Sequence, residues 1–327
     1  MSSHANQSVM SVPDVSVVIC TYNRADFLTQ TLASLLRQTL KSKCYEIIVI
    51  DDGSSDHTAD AVEDVRRGAR IDIRYIWQEN SGIGNARNRG YREARAPWVA
   101  YIDDDELASE HWLSELLDTA EATAADCVGG PSILRVLGNP DIQPVGTIGM
   151  LLGQNPCMVT ASRSMSMAER LRARITRLNV PGGGNVLVRK ALLERLGGFR
   201  PLRYGEDMDF FRRAVQEKAS LATAHQAIIY HLTPAERLTS RALYSEADRG
   251  GRARARIDRA EFGVMRPYGI AALRVAHMIA FTIPALLWHR LMGNRSHIVS
   301  KCCSLHFALA YMRHSMSRVN APACSAE

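Results

Sequence analysis

Three apolar runs, at 15–20, 45–50 and 98–102, each break off into a polar or acidic loop. That recurrence constrains the fold more than any other feature of the chain. The first two runs are short, uncharged or nearly so, and rich in β-branched residues, as suits strands buried on both faces. Between and after them the pattern turns helical. Asp26 is placed to cap a helix reaching about Gln38, with Phe27, Leu28, Leu32, Leu35 and Leu36 as its apolar side. A second helix is expected at 58–67, a short strand at 71–78, and a glycine-bearing loop opening a helix at 81–94. This βαβαβαβ order predicts an α/β architecture, a doubly wound and mainly parallel sheet with helices on both faces. Sheets of that kind place ligands beyond the carboxyl ends of their strands. The loops at Thr21, Asp51 and Asp103 are therefore expected to meet in one crevice.

The third loop carries Asp103-Asp104-Asp105. Three adjacent carboxylates repel one another, an arrangement that a cation relieves. Hard oxygen ligands suit Mg2+ or Mn2+ on a diphosphate; a solvated acidic turn is the plainer alternative. Further along, 165–178 reads as a basic helical stretch and Pro181-Gly182-Gly183-Gly184-Asn185 as a break. A short strand at 186–188 and a helix at 190–196 stopped by Gly197-Gly198 follow. Glu206, Asp207 and Asp209 then open a helix, a place where acids are also favoured by the helix dipole alone.

Five of these segments, taken in order, resemble the family 2 glycosyltransferases, inverting enzymes of the GT-A fold that use nucleotide sugars. They are the strand and loop ending Thr21-Tyr22-Asn23-Arg24, the turn Asp51-Asp52-Gly53-Ser54, the stretch from Asn80 to Gly90, the acidic motif from Ile102 to Glu106, and Gly205-Glu206-Asp207-Met208-Asp209. The resemblance implies a donor site formed by Thr21, Tyr22, Arg24, Asp51, Asp52, Arg87, Asn88, Asp103 and Asp104. It implies metal ligation by Asp103 and Asp105, with His231 as a third candidate, and Mg2+ or Mn2+ as the cofactor. Asp207 would be the general base that takes the proton from the attacking hydroxyl. Gly183, Gly184, Asn185 and Glu206 would line the acceptor side. The implied reaction moves a sugar from a nucleotide-diphosphate donor to a hydroxyl of a glycan or lipid-linked acceptor. A catalytically silent subunit that binds nucleotide sugar or glycan is the competing class. A dehydrogenase or P-loop enzyme is disfavoured because neither GxGxxG after a strand nor GK[ST] occurs.

Charge is uneven along the 327 residues, whose net charge is +6. From Glu236 to Arg318, fourteen Lys/Arg face five Asp/Glu. Nucleic acid is not expected as a partner, since no helix-turn-helix or RNA-binding signature accompanies the basic residues. The stretch 270–292 is largely apolar, interrupted by Arg274, His277, Pro284, His289 and Arg290, and suits a helix lying in a membrane interface better than one crossing it. A second amphipathic helix is expected at 298–312. The seven cysteines are scattered without CxxC, which favours a reducing compartment. With no apolar leader at the start, the expected place is cytoplasmic, peripheral on the inner face of the cell membrane. The expected organisation is a disordered 1–13, a catalytic domain at 14–235, a basic and amphipathic helical region at 236–318 and a disordered tail at 319–327.

Overall fold

The computed structural model describes residues 12–40, 45–138, 147–152, 181–202, 204–263 and 265–316. The expected tail at 319–327, the basic helix at 165–178 and all but two residues of the expected N-terminal disorder lie outside them. The chain divides into two compact units, one of positions 1–133 with 155–231, the other of 134–154 with 232–327.

In the first unit β1 (Val15–Thr21), β2 (Tyr45–Asp51), β3 (Ile73–Trp77) and β4 (Trp98–Tyr101) form the parallel half of a sheet in the order β3-β2-β1-β4. The connecting helices are α1 (Ala25–Leu35), α2 (Thr58–Gly68) and α3 (Ile83–Glu93). Alternation along each strand sends side chains to opposite faces. Val17, Ile19, Ile47, Val49 and Ala100 enter a core with Leu28, Leu32 and Leu35 of α1. Val18, Cys20, Ile48, Ile50, Val99 and Tyr101 enter another with Ala86 and Tyr91 of α3. Two separate cores of this kind are what the nearly uncharged runs predicted. Gly90 lets α3 sit close on β1: a Cβ there would meet Val18 Cγ1 at 2.2 Å.

The sheet then continues past β4. The remaining strands are β5 (Glu106–Ala108), β6 (Cys127–Gly129), β7 (Ser132–Val136), β8 (Val186–Arg189), β9 (Leu221–Thr223) and β10 (Ile229–Thr233), of which β6, β8 and β9 join this sheet and β5, β7 and β10 do not. β8 joins β4 antiparallel, β6 joins β8 antiparallel and β9 joins β6 parallel, giving seven strands of which β8 alone is reversed. β5 pairs antiparallel with β10, setting His231 opposite Glu106. Among helices, α4 (Trp112–Thr123) packs into the first core. After the short α5 (Thr147–Leu151), α6 (Lys190–Leu196) and α7 (Glu206–Gln216) pack into the second.

One local expectation is corrected. Asp26 does not cap α1: Arg24 occupies the N-cap position, and Asp56 from the β2 exit loop accepts the Ala25 N–H at 3.2 Å. A carboxylate remote in sequence has taken over the cap.

The second unit is helical. A 3-10 turn at Ala235–Leu238 leads to α8 (Ser240–Phe262), α9 (Met265–His277), a π turn at Met278–Thr282, α10 (Ile283–Leu291) and α11 (Arg295–Met316). Met265–Leu291 is one helical run of 27 residues, long and apolar enough to cross a membrane by length and composition. The helix thus begins five residues before the apolar stretch expected at 270–292. A π turn just ahead of Pro284 accommodates its missing N–H without ending the helix.

Candidate active site

Strand order reverses between β1 and β4: β2 and β3 lie to one side of β1, and β4 to the other. At such a switch point two exit loops diverge and leave a crevice. The loops that meet there are Thr21–Arg24 after β1 and Asp103–Asp105 after β4. Thr21 Oγ1 donates to Asp104 Oδ2 at 2.8 Å, and Arg24 Nη1 bridges Asp104 Oδ1 at 3.0 Å and Asp105 Oδ2 at 2.9 Å. Burial lifts the Asp104 carboxyl to about 6, against the pull of Arg24. Tyr22, by contrast, is half exposed beside them.

The acidic turn is folded by its own neighbour: Glu106 Oε2 accepts the Asp103 N–H at 3.0 Å. Burial, then Asp103 and Asp105, push the Glu106 carboxyl well above its ordinary range. Arg87, buried on α3, donates to Asp103 Oδ1 at 3.0 Å and to Glu206 Oε1 at 2.6 Å. Burial works against its charge, yet Asp103 and Glu206 overcome that and raise its pKa. Arg87 therefore ties the acidic loop to the start of α7. Burial likewise raises the Glu206 carboxyl, with Arg87 opposing.

Asp207, next on α7, accepts the Gly183 N–H on Oδ2 at 3.1 Å and the Met208 N–H on Oδ1 at 2.7 Å. A Cβ on Gly183 would lie 2.7 Å from Arg87 Nη1, and one on Gly184 would lie 2.4 Å from Glu106 Oε2 and 2.7 Å from Asp103 Oδ2. The glycine turn is thus pressed against the carboxylates, a place with no room for a side chain. Because β8 runs against β4, this turn arrives at the edge where β4 ends.

Other residues singled out in the sequence also hold the loops around them. Asp51 accepts from Ser54 N and from the Tyr75 hydroxyl, at 2.7 and 2.5 Å. Asp52 takes Gln78 Nε2, Ser81 N and Gly82 N at 2.7, 3.0 and 2.8 Å, closing the loop that starts α3. Asn88 exchanges two hydrogen bonds with the Phe199 backbone. Asn185 accepts from Trp112 Nε1 at 2.8 Å and donates to the Pro131 and Ala227 carbonyls. Trp112 and Gln78 had no place in the sequence reading. A tryptophan in an amphipathic helix carries no mark of its indole partner, and Gln78 sits in an ordinary polar turn.

His231 Nε2 is buried, lies 3.6 Å from Asp105 Oδ2 and has no hydrogen-bond partner. A buried polar atom left in this way costs free energy unless something binds it. Among the described residues, no three His, Cys, Asp or Glu side chains converge into a ready-made metal centre. The residues fit a divalent cation held on one side by Asp105 and His231, with a diphosphate supplying further oxygens. Asp103, the more exposed of the acids, stands in the same turn.

A switch-point crevice with acids on its rim, in a mainly parallel sheet with one reversed strand, defines a GT-A-like fold. A mannosyltransferase from Pyrobaculum calidifontis, solved in complex with GDP-Man and Mn2+, superposes with a TM-score of 0.61 over 93% of this chain and 88% of that one, at 18% identity. The family model for glycosyl transferase family 2 matches residues 16–197, and the chain belongs to that family. Validoxylamine A glucosyltransferase of Streptomyces hygroscopicus subsp. jinggangensis is 44% identical over 32% of this chain, which spans 25% of that relative's length. Glycosyltransferase AglE of Haloferax volcanii is 28% identical over 68% of this chain and 67% of its own. Chondroitin synthase of Escherichia coli is 29% identical over 68% of this chain and 35% of its own.

Proposed function

We propose that the protein is an inverting glycosyltransferase, moving a sugar from a nucleoside-diphosphate donor to a hydroxyl of a glycan or lipid-linked acceptor. His231 Nε2, buried beside Asp105 without a hydrogen-bond partner, carries this reading, because a cation there would satisfy both. The donor's diphosphate would lie between Arg24 and the acidic turn, with Asp103, Asp105 and His231 holding Mg2+ or Mn2+. That cation, when bound, neutralises charge on the leaving diphosphate. Thr21, Tyr22 and Asp52 would line the nucleoside side. Asp207 Oδ2, steadied by the Gly183 N–H, takes the proton of the attacking hydroxyl while the sugar–phosphate bond breaks. Arg87 keeps Asp103 and Glu206 in register, so donor and acceptor sides share one guanidinium. The protein would work at a membrane surface, where a lipid-linked acceptor lies; polysaccharide biosynthesis is the matching context.

Release of nucleoside diphosphate from a panel of sugar donors, with and without Mn2+, tests the reading. Cation-dependent release supports it. A donor-induced thermal shift without release from any donor–acceptor pair would favour a silent binding subunit instead.

A further inference from the structure

Met265–Leu291 passes the length and composition test for a membrane span, but its packing within the second unit argues otherwise. One stripe of the run is turned inward: Pro267, Ala271 and Thr282 are buried, with Arg274, Met278, Leu286 and His289 half-buried between and beyond them. That stripe recurs every three to four residues along the whole run, as one face of a helix must. It lies along α11, which returns antiparallel to it. Ala271 meets Tyr311, and the His289 and His297 rings stack at 4.6 Å. Arg274 points inward as well, its guanidinium 4.7 Å from the Tyr311 ring and 5.1 Å from Phe307. Behind Tyr311 stands Asp258 of α8, itself paired with Arg254. A run crossing a bilayer in this packing would carry Arg274, Asp258 and Arg254 towards the hydrocarbon, where charged groups are costly.

The outward face has a different character. Leu273, Ile279, Phe281, Leu287, Trp288 and Leu291 are each more than half exposed. Exposed Arg266 stands near one end of that face, and exposed Arg290 and Arg295 stand near the other. An apolar strip closed by cations, with a tryptophan on it, has the chemistry of the boundary between acyl chains and anionic headgroups.

We propose that Met265–Leu291 lies flat in the headgroup–acyl boundary of an anionic bilayer, Arg274 inward and Trp288 towards lipid, and does not cross it. This rests on the membrane location proposed above and assigns its geometry and lipid charge. The full-length chain is floated with vesicles of phosphatidylglycerol or of phosphatidylcholine, without donor or acceptor, so a failed transfer assay leaves the result readable. Flotation is expected to be at least about tenfold greater on phosphatidylglycerol. Replacing Arg266, Arg290 and Arg295 together by Gln is expected to weaken it by about a hundredfold at low salt. Leu273→Glu with Leu287→Glu, both at exposed positions, is expected to abolish it while the circular dichroism spectrum stays unchanged.

Depth is read by bromine-labelled lipids. Trp288 emission, and the added emission of a Phe281→Trp variant, should both be quenched more by bromine near the acyl carboxyl end than near the chain terminus. If terminal bromine instead quenches the emission added by Phe281→Trp most strongly, with Trp288 quenched near the headgroup, the helix crosses and the proposal is overturned. Equal flotation on both lipids, or none on either, would overturn it too.

Discussion

Both units bury arginine–carboxylate clusters, and the two clusters are balanced differently. In the helical unit, Asp258 is 1% exposed and has its oxygens engaged by Arg254 at 3.1 Å and the Tyr311 hydroxyl at 2.8 Å. In the sheet unit, Asp103, Asp104, Asp105, Glu106, Glu206 and Asp207 gather around Arg24 and Arg87, and His231 Nε2 lies 3.6 Å from Asp105 Oδ2 without a hydrogen-bond partner. In the first cluster one acid faces Arg254 and Tyr311, and Arg274 Nε against the Tyr311 ring has no hydrogen-bond partner, so the excess there is positive. The second gathers six acids around two arginines, an excess of negative charge that a cation would offset. Buried charge is common to both; the sign of the excess is what differs.

That contrast can be broken by substitution, and the largest effect is expected at Asp207. Asp207→Asn should lower turnover at least about a hundredfold with donor affinity nearly intact, read by initial rates and donor titration. Equal turnover would remove Asp207 from the role of base. In the other cluster, Asp258→Ala should cost about 3–5 kcal/mol of stability in urea unfolding, because Arg254 and Tyr311 lose their buried partner. The donor-induced thermal shift should survive it. His231→Ala should instead leave stability close to wild type and raise the cation concentration for half-maximal release by at least about tenfold. A large stability loss there would make His231 structural and dissolve the contrast.

The smallest expected effect tests neither cluster but the cap beside one of them. Asp56→Ala should cost about 1 kcal/mol in thermal unfolding at neutral pH. Burial raises the Asp56 pKa slightly, but hydrogen bonds from Thr58 and the Ala25 N–H outweigh it and hold it below the ordinary 3.8. A depressed carboxylate stabilises the fold above its unfolded pKa and loses that contribution as pH falls. The gap between wild type and variant should therefore close below about pH 4.

The parallel half of the sheet was legible in sequence because strands buried on both faces are apolar at nearly every position, as Val15, Val17, Val18 and Ile19 are; Ser16 and Glu46 stand buried among them, Ser16 Oγ donating to Glu46 Oε1 at 2.7 Å. The short β5, β6 and β9 escaped notice, since three residues carry no period. The reversal of β8 was equally hidden, because direction is not written in composition. At the site, residue types announced the acids but not their partners. Arg87 could have paired with any surface acid, yet it joins two site carboxylates, one of them 119 positions away. The internal partners of Asp51 and Asn185, Tyr75 and Trp112, were equally unmarked in the chain.

The reversed sense of β8 has a bearing on how such a protein can diversify. Exit loops of β1, β2 and β3 lead straight into helices that must cover the sheet, so their lengths are constrained. The glycine turn before Val186 is instead an entry into its strand, set by the carboxylates it is pressed against and not by a helix packed on the sheet. Lengthening a flexible loop is cheap, about 0.6 kcal/mol for each doubling. Variation entering at that end of β8 leaves the parallel strands and their helices in place.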